Sequence, residues 1–472
     1  MRRTKIVATL GPASWDGAVV HDLVAAGVDV FRLNLAHADT DTHKASAETA
    51  RREADRLGRV VGLLADLPGP KMRTGPVVGD AVSLEPGEPF VLDQRSGEGD
   101  WTGVSTTVEN LHEMVHPGEE IFLADGAIIL RVTEVTGGSV HTEVIRRGLL
   151  RSRKGMHIPN AEDKIDAFTE DDRRSLEAAL SLKVDLIGLS FIRDAEDIER
   201  VRAAMPKQKG GPLLVAKIET RSAIQNLSEI VHAADAVMVA RGDLGIQMPL
   251  EEVPLLQKEI IQMCNGTGTP VITATQMLES MTHGPLPSRA EVNDVANAVL
   301  DGTDALMLSE ETAIGKYPIA TVETMATIAQ RAERQGRMRP ANVSYEEADD
   351  PVSWAIARSA VHAAEELDVA AILCPTRSGA TARRVAAFRP RMPILGLGHR
   401  EATVRPLALV WGVVPKTVPF VAEEEIASVG ISRAVEAARE AGLAHAGQLV
   451  AVVAAGPEPR AGSTDFVRIV SA

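Results

Sequence analysis

Eight short apolar runs recur along the chain up to residue 311: KIVATL (5–10), VDVFRLNL (28–35), VVGLLADL (60–67), VDLIGLSF (184–191), LLVAKIE (213–219), AVMVARGD (236–243), PVITAT (270–275) and ALMLSEE (305–311). Stretches such as TEDDRRSLEAAL, DAEDIERVRAAM, RSAIQNLSEIVHAA, EVPLLQKEIIQMC and RAEVNDVANAVL separate most of them, with apolar residues at the three- and four-residue steps of a helix buried on one side. Near-continuous apolar strands alternating with such helices predict a parallel sheet covered on its outside. Eight units predict a closed (β/α)8 TIM barrel, with its chemistry at the carboxyl ends of the strands. Polar residues collect there: Arg32, Asn34, Asp66, Lys217, Glu219, Asp243, Thr275, Glu310 and Glu311 stand at or near the ends of their runs.

The third run is interrupted. From Pro68 to about Asp166 the texture changes to short alternating segments (AVSLEPGEPFVL, EEIFLADGAIILRVTEV, SVHTEVIRRG) between Gly-, Pro- and Asp-rich turns, which predicts an inserted all-β, small-barrel-like domain. Placed between a barrel strand and its helix, it stands above the catalytic face as a lid. The polar stretch GRMRPANVSYEEADDP then leads to AIARSAVHAAEEL, VAAILCPT, ATARRVAAF, MPILGLG and QLVAVVAA, which alternate helix and strand as a small α/β sandwich. The expected division is a catalytic barrel of residues 1–69 and 167–340, a β lid of 70–166 and a carboxy-terminal α/β domain of 341–472.

Composition narrows the function classes. A chain of 472 residues exceeds one hydrophobic core, and 45% hydrophobic with 24% charged residues is an ordinary globular balance. The net charge of −15 opposes general binding to nucleic acid or an anionic membrane, so a phosphate site has to be built locally. Only Cys264 and Cys374 occur, without a CxxC or a histidine at metal spacing, so neither a disulfide framework nor a zinc site is suggested. No apolar run approaches the ~20 residues that span a bilayer. No signal-peptide core follows Arg2 and Arg3, and a cytoplasmic protein is expected.

The blocks RLNLAHAD, GPKMRTG, SRKGMHIP, LSFIRDAEDI, AKIE, VMVARGDLGI, PVITATQMLESM, SRAEVNDVANAVLDGTDALMLSEETAIGKYP and CPTRSGATAR stand in the order, spacing and domain context of pyruvate kinases. The chain resembles that family over essentially its whole length. The resemblance implies transfer of a phosphoryl group from phosphoenolpyruvate to ADP, giving pyruvate and ATP, by a homotetramer with Mg2+ or Mn2+ as cofactor.

Phosphoryl transfer asks a protein for alignment and for positive charge around an anionic transition state. Glu219 and Asp243 are hard oxygen ligands suited to Mg2+ or Mn2+, and the resemblance gives them the metal that bridges the substrate carboxylate and phosphoryl group. Lys217 lies two residues before Glu219, on the same side of the strand; by resemblance it neutralises the moving phosphoryl group and the enolate left behind. Arg32 is expected to clamp the phosphoryl group with its planar fork. Arg73 and Lys154, on the two hinge sides of the insertion, are expected to meet the nucleotide phosphates, and Asn34 and His37 join them as nucleotide residues. Thr275 looks like the family threonine beside the methylene carbon of the enolate, where it positions a water or passes a proton. The backbone of Ala240, Arg241 and Gly242 is expected to present N–H groups to the substrate carboxylate, since glycine permits close approach.

In the last unit, TRSGAT follows a strand and precedes a helix. Thr376, Arg377, Ser378, Gly379 and Thr381 correspond to the loop that the family uses for the phosphate of an allosteric effector. The plainer alternative is an N-capped turn that binds nothing. Glu423 to Glu425 reads as a solvated helix start.

The stretch ADLPGPKMRTG (65–75) departs from many family members. Those hold a K+ with an Asn and a Ser after the second strand and an Asp and a Thr after the third. The matching positions here are Asn34, Ala36, Asp66 and Leu67, so two hydroxyl ligands are missing, and Lys71 stands at the position of a glutamate. An ammonium carries the same charge as K+; at ~4 Å from a phosphoryl charge it is worth about 4 kcal/mol at an effective dielectric of 20. Lys71 is therefore expected to replace K+ as a tethered cation, against the alternative of a solvent-facing lysine beside a degraded site. Smaller departures are Ala124 before Asp125, His157 for an asparagine in KGMHIP, and Glu310 for a glycine. Two other functions fit parts of the pattern. A metal-dependent lyase acting on pyruvate or phosphoenolpyruvate needs no nucleotide clamp such as Arg73 and Lys154, and a silent sugar-phosphate sensor needs no Lys217, Glu219, Asp243 and Thr275.

Overall fold

The computed structural model describes residues 1–70, 72–124, 126–159, 164, 166–206, 210–335, 350–419, 430–455 and 464–472. Lys71, Asp125, the interdomain stretch 336–349 and Glu423 to Glu425 lie outside the described residues.

Three strands open the chain: β1 (Lys5–Thr9), β2 (Val30–Asn34) and β3 (Gly62–Asp66). The insertion follows with β4 (Ala81–Leu84), β5 (Pro89–Asp93), β6 (Gly103–Ser105), β7 (Glu120–Leu123), β8 (Ile128–Thr136), β9 (Ser139–Arg146), β10 (Gly148–Arg151) and β11 (Met156–His157). Five more parallel strands complete the first architecture: β12 (Leu186–Leu189), β13 (Leu213–Ile218), β14 (Ala236–Ala240), β15 (Val271–Ala274) and β16 (Ala305–Leu308). The order β1-β16-β15-β14-β13-β12-β3-β2 closes on itself, so the eight apolar runs form the expected barrel.

Their apolar continuity has a double cause. One set of side chains, including Val7, Leu64, Val215, Met238 and Met307, fills the barrel interior. The other set, including Phe31, Leu63, Ile187, Ala216 and Val237, packs outward against the helices. Helix starts are fixed by side-chain caps at Asp16, Asp39 and Asp194 and by capping boxes at Thr169 and Ser288. RSAIQNLSEIVHAA forms two helices, Arg221–Gln225 and Leu227–Ala233, because Asn226 leaves helical geometry and its amide donates to the Arg193 carbonyl at 3.1 Å.

Within the insertion, a six-stranded sheet in the order β11-β7-β8-β9-β5-β6 and the pair β10-β4 share one core. Entry and exit run side by side: the Thr74 N–H donates to the Lys154 carbonyl and the Met156 N–H to the Met72 carbonyl, each at 2.9 Å. Gly69 makes the entry bend. Its φ of +66° is in the left-handed region, and a Cβ there would sit 2.8 Å from both the Ser190 Cβ and the Phe191 ring.

The last unit is a five-stranded sheet of β17 (Ile372–Pro375), β18 (Ile394–Gly398), β19 (Val413–Thr417), β20 (Leu449–Ala454) and β21 (Phe466–Ser471), in the order β19-β18-β17-β20-β21. It sits against the amino-terminal end of the barrel. Lys5 Nζ donates to the Val413 carbonyl at 2.6 Å, and the buried Arg389 donates to Asp304 Oδ1 at 2.8 Å and Asn265 Oδ1 at 2.6 Å. Among the described residues, no helix is long and apolar enough to cross a membrane.

Candidate active site

Adjacent strand ends build the centre of the site. β2 and β3 pair in register with Asn34 opposite Asp66, which brings Arg32 and Asp66 to the same mouth. Arg32 Nε and Nη2 donate to Asp66 Oδ2 at 2.9 and 2.5 Å, and Arg32 Nη1 donates to Thr9 Oγ1 at 3.2 Å. The guanidinium is held from two sides. Across the mouth, Lys217 Nζ lies 3.4 Å from Asp66 Oδ1 and 2.8 Å from Glu219 Oε1, and donates to Ser190 Oγ at 2.7 Å.

The backbone between β12 and the following helix completes the cluster. Ser190 Oγ donates to the Leu67 carbonyl at 2.8 Å, and the Phe191 N–H donates to Glu219 Oε2 at 2.8 Å. Phe191 has a φ of +56°, a strained value for a bulky residue, and that turn aims its N–H at the carboxylate. Gly188 leaves the space: a Cβ there would meet Asp66 Oδ1 at 2.8 Å.

Burial sharpens the electrostatics. Glu219 is fully buried and Asp66 nearly so. Burial and then the Asp243 charge push the Glu219 carboxyl up to about 7, although Lys217 opposes this. Asp66 goes the other way: burial would raise it, but Lys217 and Arg32 together hold it below the ordinary carboxylate range. For Lys217, burial favours the neutral amine, yet Asp66, Glu219 and Asp243 outweigh it and raise its pKa. Lys217 is therefore held as a cation. Two cations face three carboxylates here, and two buried oxygens, Asp66 Oδ1 and Glu219 Oε1, lack a well-formed hydrogen bond. Such a set suits a hard divalent cation that draws its other ligands from water and substrate. Among the described residues no group of three or more His, Cys, Asp or Glu side chains is arranged to hold a metal ion.

A cavity of about 620 Å3 joins this cluster to the inserted domain. Arg32, Asn34, His37, Asp66, Arg73, Lys154, Lys217, Glu219 and Asp243 all line it, so residues spread over more than two hundred positions meet on one wall. Arg73 Nη1 donates to the Arg153 carbonyl at 3.2 Å, and Lys154 is exposed at the hinge. Asn34 Oδ1 accepts from the Ala36 N–H at 3.2 Å, closing a small local turn.

Thr275 and Gly242 form a neighbouring unit outside the cavity lining. Thr275 has a φ of +64°; its Oγ1 donates to the Ala274 carbonyl at 2.7 Å and accepts from the Gly242 N–H at 2.9 Å. The Gly242 N–H expected to face a substrate carboxylate is thus held by the threonine in this conformation. Arg241 braces the turn through the Ala274 and Thr275 carbonyls and a 2.7 Å ion pair to Asp294.

At TRSGAT, Gly379 has a φ of +84° and donates its N–H to Thr376 Oγ1 at 2.9 Å. Thr381 departs from the expectation of a hydroxyl open to an effector: it is buried and hydrogen-bonded to Thr464 Oγ1 at 2.8 Å. The helix that follows turns Thr381 toward the core, while Arg377 and Ser378 stay exposed.

Sequence reasoning assigned no role to Ser190, Phe191, Gly188 or Gln247. Ser190 and Phe191 do close the apolar run 184–191, so the rule that barrel chemistry sits at strand ends pointed to them. Gly188 and Gln247 carried no comparable signal.

A closed eight-stranded barrel with buried lysine, arginine and carboxylates at its strand ends, under an inserted β domain, defines a barrel enzyme that handles an anionic substrate. Residues 1–322 match the family described as pyruvate kinase, barrel domain, and residues 354–470 match pyruvate kinase, alpha/beta domain. Relatives include a pyruvate kinase of Thermococcus litoralis, 44% identical over 88% of this chain and 88% of its own. One of Geobacillus stearothermophilus is 41% identical over 99% and 80%, and pyruvate kinase 2 of Synechocystis is 42% identical over 99% and 79%. The chain belongs to the pyruvate kinase family, and it is a phosphotransferase.

Proposed function

We propose that this chain transfers the phosphoryl group of phosphoenolpyruvate to ADP, with Mg2+ or Mn2+ held by Glu219 and Asp243, and that it does so without K+. The observation that carries the reading is the buried Arg32–Asp66–Lys217–Glu219 cluster at the barrel mouth. When bound, the divalent ion supplies charge that offsets the phosphoryl oxygens. Arg32, fixed on Asp66, offers its remaining donors to the phosphoryl group. Lys217 stays protonated and offsets charge as the enolate forms. Protonation of the methylene carbon falls to Thr275, which orients a water or passes a proton. Arg73, Lys154, Asn34 and His37 take the nucleotide.

K+ independence is supported by what stands at the four cation positions. Ala36 and Leu67 offer no side-chain oxygen, Asn34 Oδ1 accepts from Ala36, and Asp66 is paired with Arg32 and Lys217. Lys71, the cation that the reading substitutes for K+, lies outside the described residues. The test is a coupled assay with Mg2+ in tetramethylammonium buffer, with and without KCl. Near-full turnover without KCl is expected; a rate depressed by orders of magnitude and restored by KCl refutes the cation substitution. Failure to form ATP under either condition refutes the kinase reading.

The same proposal assigns residues 1–69 and 167–340 to the catalytic barrel, 70–166 to a lid and 341–472 to regulation. An effector phosphate would meet Thr376, Arg377, Ser378 and Gly379. A homotetramer is part of it, with exposed Leu250, Leu255 and Leu286 as apolar surface for a second copy, and sedimentation measures it. Cytoplasmic location completes the reading.

A further inference from the structure

His157 lies on β11 of the insertion, and Gln247 ends the helix Arg241–Gln247, four residues after Asp243. Residues at that spacing share one face of a helix, and Asp243, Gln247 and His157 all line the cavity. Gln247 Nε2 lies 3.2 Å from His157 Nδ1, a hydrogen bond that ties the inserted domain to the helix carrying Asp243. Burial keeps His157 neutral, pushing it down to about 4 even though Gln247 opposes this, so its Nδ1 is free to accept. The Phe122 ring, 6.2 Å away and tilted, holds the imidazole from the lid side.

Here His157 Nε2 and Gln247 Oε1 are both buried without a hydrogen-bond partner, although Gln247 is only 6% exposed. Buried polar atoms without a partner call for a specific explanation, and both residues line the cavity that Asp243 also lines. We propose that His157 and Gln247 act as one positioning pair, which locks the inserted domain onto the helix of Asp243 and sets that carboxylate against Glu219. The proposal rests on the reading of Asp243 as a metal ligand. It concerns orientation only: neither residue is a ligand or a catalytic group.

The test measures Mn2+ affinity of the full-length protein by electron paramagnetic resonance, without substrates, for His157→Phe, Gln247→Met and the double variant. Each substitution keeps the approximate side-chain shape and removes the hydrogen bond. Each single variant is expected to weaken Mn2+ binding about fivefold, the size of a contact coupling, with the double variant no weaker than the singles. Melting temperature is followed in parallel, so that a fold defect is recognised, and His157→Asn, which retains an acceptor, is expected to recover part of the affinity. Unchanged Mn2+ affinity in the single variants, or losses that add in the double variant, overturns the positioning pair. Asp243→Asn separates the two readings: if it leaves Mn2+ affinity intact, the metal assignment fails, whereas if it abolishes binding while the pair variants bind normally, only the pair fails.

Discussion

Asp66 is the residue on which the charge balance of the site turns, and Asp66→Asn tests it while preserving shape. The carboxylate lies 3.4 Å from Lys217 Nζ and accepts twice from Arg32. At an effective dielectric of 20, the Lys217 attraction is about 5 kcal/mol and that of Arg32, with its charge centre at ~4 Å, about 4 kcal/mol. The net loss is smaller. Glu219 still faces Lys217, an amide oxygen at the Oδ2 position still accepts from Arg32, and the burial cost of one carboxylate disappears. Removing one member of a buried pair costs ~3–5 kcal/mol, and the remaining Glu219 places this case near the lower end, about 3 kcal/mol. Thermal denaturation is expected to show the barrel melting roughly 6 °C or more lower. Arg32 also exchanges a charge-assisted anchor for neutral hydrogen bonds, which lets its fork shift, and misplacement of a clamp by ~1 Å costs about 100-fold in rate. A coupled assay of pyruvate formation is expected to show that loss in kcat/KM. An Asp66→Asn variant with unchanged melting and unchanged kcat/KM refutes the claim that this carboxylate organises the site.

Other consequences follow from the same geometry. Gly188→Ala places a methyl 2.8 Å from Asp66 Oδ1, so it is expected to cost about 1–3 kcal/mol by overpacking and to lower kcat, read by melting and steady-state kinetics. Asp185, whose carboxyl burial raises to about 6, accepts from the Leu63 N–H at 2.8 Å. Because its folded pKa is raised, its stability contribution is complete below the ordinary value and is lost as pH rises toward 6. Asp185→Asn keeps the acceptor and is expected to raise the melting temperature at pH 7.5 but to lose that advantage near pH 4, as paired thermal scans check. Arg389→Met leaves the buried Asp304 without its guanidinium partner; a cost of ~3–5 kcal/mol and a separate calorimetric transition for the carboxy-terminal unit are expected.

The sequence by itself determined the barrel and most of the wall of its site. Eight strand runs buried on both faces, alternating with helices, fit a closed βα barrel, and the closed barrel then carries Arg32, Asp66, Lys217, Glu219 and Asp243 to one mouth regardless of their separation along the chain. Two edge elements, β19 and β21, were missed because their half-exposed positions dilute the apolar pattern that marks a buried strand. What only the tertiary structure decided is which groups touch. Local pattern places a residue on an element, but hydrogen bonds and ion pairs of 2.5–3.4 Å are set by packing between elements far apart in the chain. Ser190 under Lys217, Phe191 turned so that its N–H meets Glu219, Gly188 making room for Asp66, and Thr381 facing inward are all of that kind. The opposite pKa directions of Asp66 and Glu219 have the same origin. Two acidic residues of equal promise in the sequence separate because one is flanked by two cations and the other shares its cation with a second carboxylate.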